Sequence, residues 1–165
     1  KNFKEMKMSQ PLKATVGPLF GLSHEIMKTL EEYKDEPARA LFGKTYREVQ
    51  IAISENLLKP LYGDDVFGKL FLNRSRATSY SNIVISDSGF NSEITPIIEA
   101  YKAVNCALVH IDRPDCNFDN DSREWIRPSQ FSNVFKIDNK HDLELYEAQV
   151  KKVLRQLDLL ETSDE

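Results

Sequence analysis

Asp87 closes the apolar run Ile83-Val84-Ile85-Ser86, and a strand end is where carboxylates do chemistry in α/β proteins. A carboxylate there can hold a water of Mg²⁺ or orient a substrate group; it can equally cap the turn that follows. Arg113, Arg123 and Arg127 share one polar stretch beyond a second apolar run, Cys106–Ile111. A guanidinium keeps its charge and offers a fork of N–H donors that matches phosphate oxygens. Asp112, Asp115, Asp119, Asp121 and Glu124 are interspersed, so the stretch is no basic patch, and surface ion pairs are the plain alternative. Lys13, at the start of a helical segment, can meet an anion or stay solvated. Trp125 beside Arg123 reads as a packing anchor for its loop before it reads as a base-stacking platform.

Two tempting motifs fail on their own chemistry. Phe42-Gly43-Lys44-Thr45 would need a glycine where Ala38 stands to form a phosphate loop, and Thr45 with Glu48 fits a helix capping box instead. Asp115-x-Asn117-x-Asp119-x-Asp121 starts like a calcium loop, but Asn120 and Ile126 occupy the positions that require glycine and glutamate. Cys106 and Cys116 are too few for a disulfide framework and read as reduced thiols, and His24, His110 and His141 have no zinc spacing with them.

The 165 residues, 41% hydrophobic and 29% charged, suit one compact domain and exclude a disordered chain. A net charge of −4 speaks against generic nucleic-acid or anionic-membrane binding, so phosphate chemistry must rest on a few placed cations. No apolar run approaches the roughly 18–20 residues of a membrane span. The chain opens on Lys1 rather than Met, which leads us to expect a further segment upstream.

The elements that must position these residues alternate. Lys4–Ser9 reads as a short strand, followed by a helix from Pro11 to Gly21 and another capped by Ser23. Residues 34–43 read as a loop. Tyr46, Val49, Ile53 and Leu57 fall at helical spacing, Pro60 and Gly63 break the chain, and Val66, Phe67, Leu70 and Phe71 mark the next helix. Asn82–Asp87 and Cys106–Ile111 read as buried strands, neighbours in the sheet, linked by a helix carrying Ile94, Ile97, Ile98 and Tyr101, with Asn91 as its cap. Val134–Ile137 is a last strand. A long helix over 141–160 places Leu143, Tyr146, Val150, Val153, Leu154 and Leu157 inward, and 161–165 should fray. The order predicts an α/β domain spanning 1–165, a three-layer parallel sheet with helices on both faces, and a lid-like loop over 112–131 that is its most mobile internal part.

The ordered set of motifs resembles bacteriophage deoxynucleoside-monophosphate kinases. Met8-Ser9-Gln10-Pro11-Leu12-Lys13 and Leu19-Phe20-Gly21-Leu22-Ser23 are similar to the segment after that family's phosphate loop. Gly43–Glu48, Gly63–Phe67, Ile83–Phe90 with Glu93, and Val109–Pro114 continue the likeness, and Cys116–Phe118 to Asp121–Arg123 resembles a lid. The resemblance implies a phosphate-loop kinase fold of about five parallel strands. It implies transfer of the ATP γ-phosphoryl group to a deoxynucleoside monophosphate with Mg²⁺. It places Lys13 at the acceptor nucleotide, Asp87 near the metal and phosphates, and Arg123 in the lid, with Arg113 and Arg127 closing beside it. Two departures stand out. The initial strand and glycine-rich phosphate loop are absent and would precede Lys1. Gly89 stands where many relatives carry an arginine, a loss that Arg74 or Arg76 could make good. Nucleotides are the partners implied, with a homodimer left open, in the cytoplasm of a host cell. A relative that has lost catalysis and serves as a binding or assembly module is the alternative.

Overall fold

The computed structural model describes residues 3–119, 123–140 and 142–160, so the expectations for 161–165, His141 and residues 120–122 fall outside it. Strand β1 (Phe3–Glu5) leads Met6 and Met8 into the core. Helix α1 (Gln10–Phe20) has Pro11 in its first turn and stops at Gly21, whose φ of 65° is left-handed. Helix α2 (His24–Glu32) starts at Ser23, whose side chain accepts from the Ile26 amide. Residues 34–43, expected as plain loop, carry β2 (Pro37–Ala38), which pairs antiparallel with β3 (Lys44–Thr45). Thr45 and Glu48 form the expected capping box, with Glu48 N donating to Thr45 Oγ1 (3.0 Å) and Thr45 N to Glu48 Oε2 (2.8 Å).

Helix α3 (Tyr46–Ile53) runs into a π turn over Ser54–Leu58, where the Lys59 amide donates to Ser54 O five residues back, and then into α4 (Lys59–Tyr62). Pro60 does not break the chain but sits in the first turn of α4. In a regular helix its ring would press on the carbonyl four residues back, and the widened turn makes room for it. The extra residue also shifts the helical phase. Leu57, expected inward, is half exposed, and Leu58 packs inward in its place.

Helices α5 (Val66–Arg76) and α6 (Asn91–Tyr101) approach closely because position 68 is glycine. A Cβ there would lie 2.1 Å from the Glu93 carbonyl oxygen and 2.8 Å from Pro96 Cγ. Strands β4 (Asn82–Val84), β5 (Ala107–Asp112) and β6 (Asn133–Asp138) complete the β structure among the described residues. Helix α7 (Leu143–Gln156) is capped by Asp142, whose Oδ1 accepts from Leu145 N at 2.9 Å. Of its expected inward side chains, Val153 is buried and Tyr146, Val150, Leu154 and Leu157 are partly so, but Leu143, the first residue of the helix, is solvent-exposed.

The fold is mixed α/β with parallel strand pairs. β1 pairs with β4, Lys4 opposite Ile83, and β5 with β6, Val109 opposite Phe135. Contrary to expectation, Ile83–Ser86 and Cys106–Ile111 are not hydrogen-bonded neighbours; among the described residues no ladder joins the two pairs. One core nevertheless spans both, built from Met6, Met8, Phe71, Leu72, Ile94, Ile97, Leu108 and Ile126, with Ile83 and Ile85 packed against it. A second core (Val16, Leu30, Leu41, Tyr46, Val49) holds α1, α2 and α3 together. Parallel strands are ordinarily covered on both faces, yet Val84, Val109 and Ile111 each keep a third to a half of their surface in water. Among the described residues, no helix is long and apolar enough to cross a membrane.

Candidate functional site

Asp87 lies just past the end of β4 and reaches across to the segment between β1 and α1. Its Oδ1 accepts from Met8 N (2.7 Å), and its Oδ2 from Ser9 N (3.0 Å) and Ser9 Oγ (2.7 Å). These amides stand at the opening of α1, where backbone donors have no helical partner and a negative charge is favoured. The aspartate therefore caps a turn, but a distant one rather than its own. Three of a carboxylate's roughly four lone-pair directions are taken, which leaves room for one further donor such as a metal-bound water. Among the described residues no group of three His, Cys, Asp or Glu side chains could hold a metal directly. The residues present thus fit Mg²⁺ only through its own water shell, the form in which that ion is usually bound.

Beside Asp87 opens a cleft of about 310 Å³ lined by Glu5, Lys7, Gln10 and Lys13. It sits at the carboxyl ends of β1 and β4, the usual ligand position for parallel strands. Arg74 on α5 ties two of these residues together, donating from Nη1 to Gln10 Oε1 (2.7 Å) and from Nη2 to Lys7 O (2.6 Å). Its Nε is buried with no partner among the described residues. Burial pulls the Arg74 pKa down while Asp87 opposes that, and a guanidinium stays charged regardless. Glu5 is held below the usual carboxylate range by the hydroxyl of Ser86, which donates to its Oε1 at 2.5 Å, and by Lys7. Lys13 is paired with Glu31 of α2. Lys7, Lys13 and Arg74 thus converge with Asp87 and Glu5 at one strand edge. Arg76 does not join them; two residues on, it lies about 200° round α5 from Arg74 and is exposed.

Gly89 has a packing reason. A Cβ there would lie 2.7 to 3.0 Å from Cγ, Cδ and Cβ of Arg123, so the arginine stem lies directly across the turn after Asp87. The Glu124 amide donates to Gly89 O (2.9 Å), and the Arg123 guanidinium lies over the Phe118 ring. The Arg123 stem thus fills the space that a side chain at position 89 would need. Asn91, expected as a helix cap, is the first helical residue and clamps this loop instead. Its Nδ2 donates to Glu124 Oε1 (2.7 Å) and Trp125 O (3.2 Å), and its Oδ1 accepts from Arg127 N (2.7 Å). Ile126 joins the core, so 123–127 has contacts both with α6 and with the core. Arg113 and the Arg127 side chain are exposed on either side.

Sequence reasoning noted Glu93 beside this turn but missed its burial. It is 5% exposed in the first turn of α6, and burial pushes its pKa up to about 7 against the pull of nearby Lys59. Lys59 in turn pairs with Glu55 (2.7 Å) and lies over the Phe90 ring (4.7 Å). A glutamate in a helix's first turn is ordinarily solvated; this one lies beside Lys59 and Glu55, while α5 packs closely on its backbone at Gly68. Cys106 and Cys116 are free thiols, as expected, and burial pushes the Cys106 thiol up. No protein-family model matches the chain, and neither a curated protein nor a solved structure matches it.

Proposed function

We propose that the chain is the larger part of a phosphate-loop-class nucleotide kinase that moves the γ-phosphoryl group of ATP onto a deoxynucleoside monophosphate. The observation that carries this reading is the convergence of Lys7, Lys13 and Arg74 on a strand-end aspartate, beside a cleft at the carboxyl edge of parallel strands. In it, Lys13 and Arg74 hold the acceptor phosphate. Asp87 orients that site and holds a water of Mg²⁺, the ion whose charge neutralises the phosphates in transfer. Arg123, with Arg113 and Arg127, meets the donor phosphates. Such catalysis is positioning plus charge stabilisation.

The strand arrangement supports the same reading. β4 and β5 share a core but each pairs on one edge only among the described residues. A fifth parallel strand between them would join the pairs into one three-layer sheet and bring a phosphate loop up beside Asp87. The reading requires that strand and loop to be supplied from outside Lys1–Glu165. The alternative, a binding or assembly module that has lost catalysis, is favoured by how fully Asp87 serves the fold.

The test is a phosphoryl-transfer assay with the four deoxynucleoside monophosphates, run on a chain extended through the codons upstream of Lys1. Transfer to one of them is the expected result. An extension without a glycine-rich loop, together with no transfer, would leave the binding module standing.

A further inference from the structure

On the other strand pair a second cleft of about 330 Å³ is lined by His110, Asp112, Trp125 and Lys136. That is at the lower end of the range for small-ligand sites, roughly 300–1,000 Å³. Alternation along β5 places His110 and Asp112 on one face, and the register sets Lys136 opposite His110 on the same face. Trp125 lines the cleft with them. It packs against His110 (5.0 Å between ring centres, tilted) and against Phe118 (5.2 Å, edge-on), yet 46% of it stays exposed. A packing anchor would bury its indole. This one is fixed by two neighbouring rings while much of its surface remains open, as a stacking platform requires. The His110 ring is itself fixed: its Nε2 lies 3.0 Å from Ile126 O, and since a carbonyl only accepts, Nε2 carries the proton.

The rim adds a specific pattern. Lys136 Nζ lies 2.8 Å from Asp112 Oδ2, so an acceptor and a donor stand side by side. The Asp112 side chain is only partly buried, so its carboxylate can be reached from the cleft. Each partner holds the other in its charged form, Asp112 below the usual carboxylate range and Lys136 above the usual lysine value. A planar ring that satisfies such a rim must present adjacent N–H donors to the carboxylate and a neighbouring carbonyl to the ammonium. Among the common nucleobases only guanine does so on one edge: N1–H and the 2-amino group donate, and O6 accepts. Adenine and cytosine place an unprotonated ring nitrogen against the carboxylate, and thymine flanks its single N–H with two carbonyls.

We propose that this cleft binds a guanine base, stacked on Trp125, with N1–H and the 2-amino group on Asp112 and O6 on Lys136. The site is separate from the phosphate-binding cleft, and it stands whether or not the chain transfers phosphate.

Trp125 is the only tryptophan in the chain, so its intrinsic fluorescence reports the site directly. The purified chain is titrated with guanosine, adenosine, cytidine and thymidine. Nucleosides carry no phosphate and give the Lys7, Lys13 and Arg74 cleft nothing to hold. Guanosine should give a saturable change, with the other three about 10- to 100-fold weaker. In Asp112→Asn the preference should pass from guanosine to xanthosine, whose 2-carbonyl accepts from the new amide, a reversal that a general loosening of the cleft would not produce. Trp125→Leu should abolish guanosine binding by calorimetry while the circular dichroism spectrum is unchanged. No saturable response to guanosine, equal responses to all four nucleosides, or an unchanged preference in Asp112→Asn would each overturn the proposal.

Discussion

Glu93 shows how one side chain couples the site to pH. In the unfolded chain its carboxyl titrates near the ordinary value of 4.5; in the fold it is pushed up to about 7. The folded state therefore holds more protons between those values, and stability falls as pH rises through that window. Below it both states are protonated and the term vanishes. Above it the term reaches its full size, at most about 3 kcal/mol. Wild-type protein should lose stability to urea between pH 5 and pH 8, whereas Glu93→Gln, neutral throughout, should be the more stable protein at pH 8 and lack this slope. An identical slope in both would assign the pH dependence to other groups. Arg123 is the corresponding case for turnover. In a catalytically active extended chain, Arg123→Ala should lower kcat about 10²- to 10³-fold with little change in KM or Tm, and Arg123→Lys should recover part of that. Wild-type turnover in Arg123→Ala would remove it from the site. Asp87 and Arg123 were legible in the sequence as types in suggestive places. The burial of Glu93 was not, because it arises where segments more than thirty positions earlier, carrying Glu55 and Lys59, pack beside it.

Caps and apolar spacing made most of the helices readable, since each signal lies within a turn or two of what it controls. Gly21, Ser23 and the Thr45–Glu48 box all act as their local chemistry predicts. The packing of α5 on α6 is a different kind of fact, visible only once both helices are in place. A Gly68→Ala substitution favours the helix locally, by roughly 1 kcal/mol. Its Cβ would meet the Glu93 backbone at 2.1 Å, where nothing flexible can yield. We expect a net loss of about 3 kcal/mol or more, read as a lower urea midpoint, with the helices forced apart. A stabilised Gly68→Ala protein would show that the pair is looser than its geometry. Asn91 illustrates the same limit: a residue suited to capping its own helix is used to clamp a loop from more than thirty positions away.

Taken whole, the molecule has its strands where apolar runs end in polar residues, and both long pairs are parallel as the alternating order predicts. Which strand lies beside which was not legible, because β4 and β5 read as neighbours by length and composition alone. The consequence is an unusual surface. Ladder edges without partners among the described residues, and partly exposed Val84, Val109 and Ile111, favour association with another chain. Sedimentation of Lys1–Glu165 at rising concentration should show reversible self-association, weakened by Ile111→Lys. A monomer at every concentration would mean that this surface is sufficiently shielded by its polar neighbours.

The π turn over Ser54–Leu58 sets a clock for everything after it. Each residue of a helix advances its direction by about 100°, so removing one residue there to regularise the turn would rotate Lys59 by that angle. Lys59 would swing off the Phe90 ring and away from Glu93, while Pro60 would meet an unrelieved carbonyl. Single-residue deletions in this stretch should therefore be tolerated far less well than substitutions at the exposed positions beside it. The length of the segment, more than its composition, is what lineages descended from this chain would have to keep.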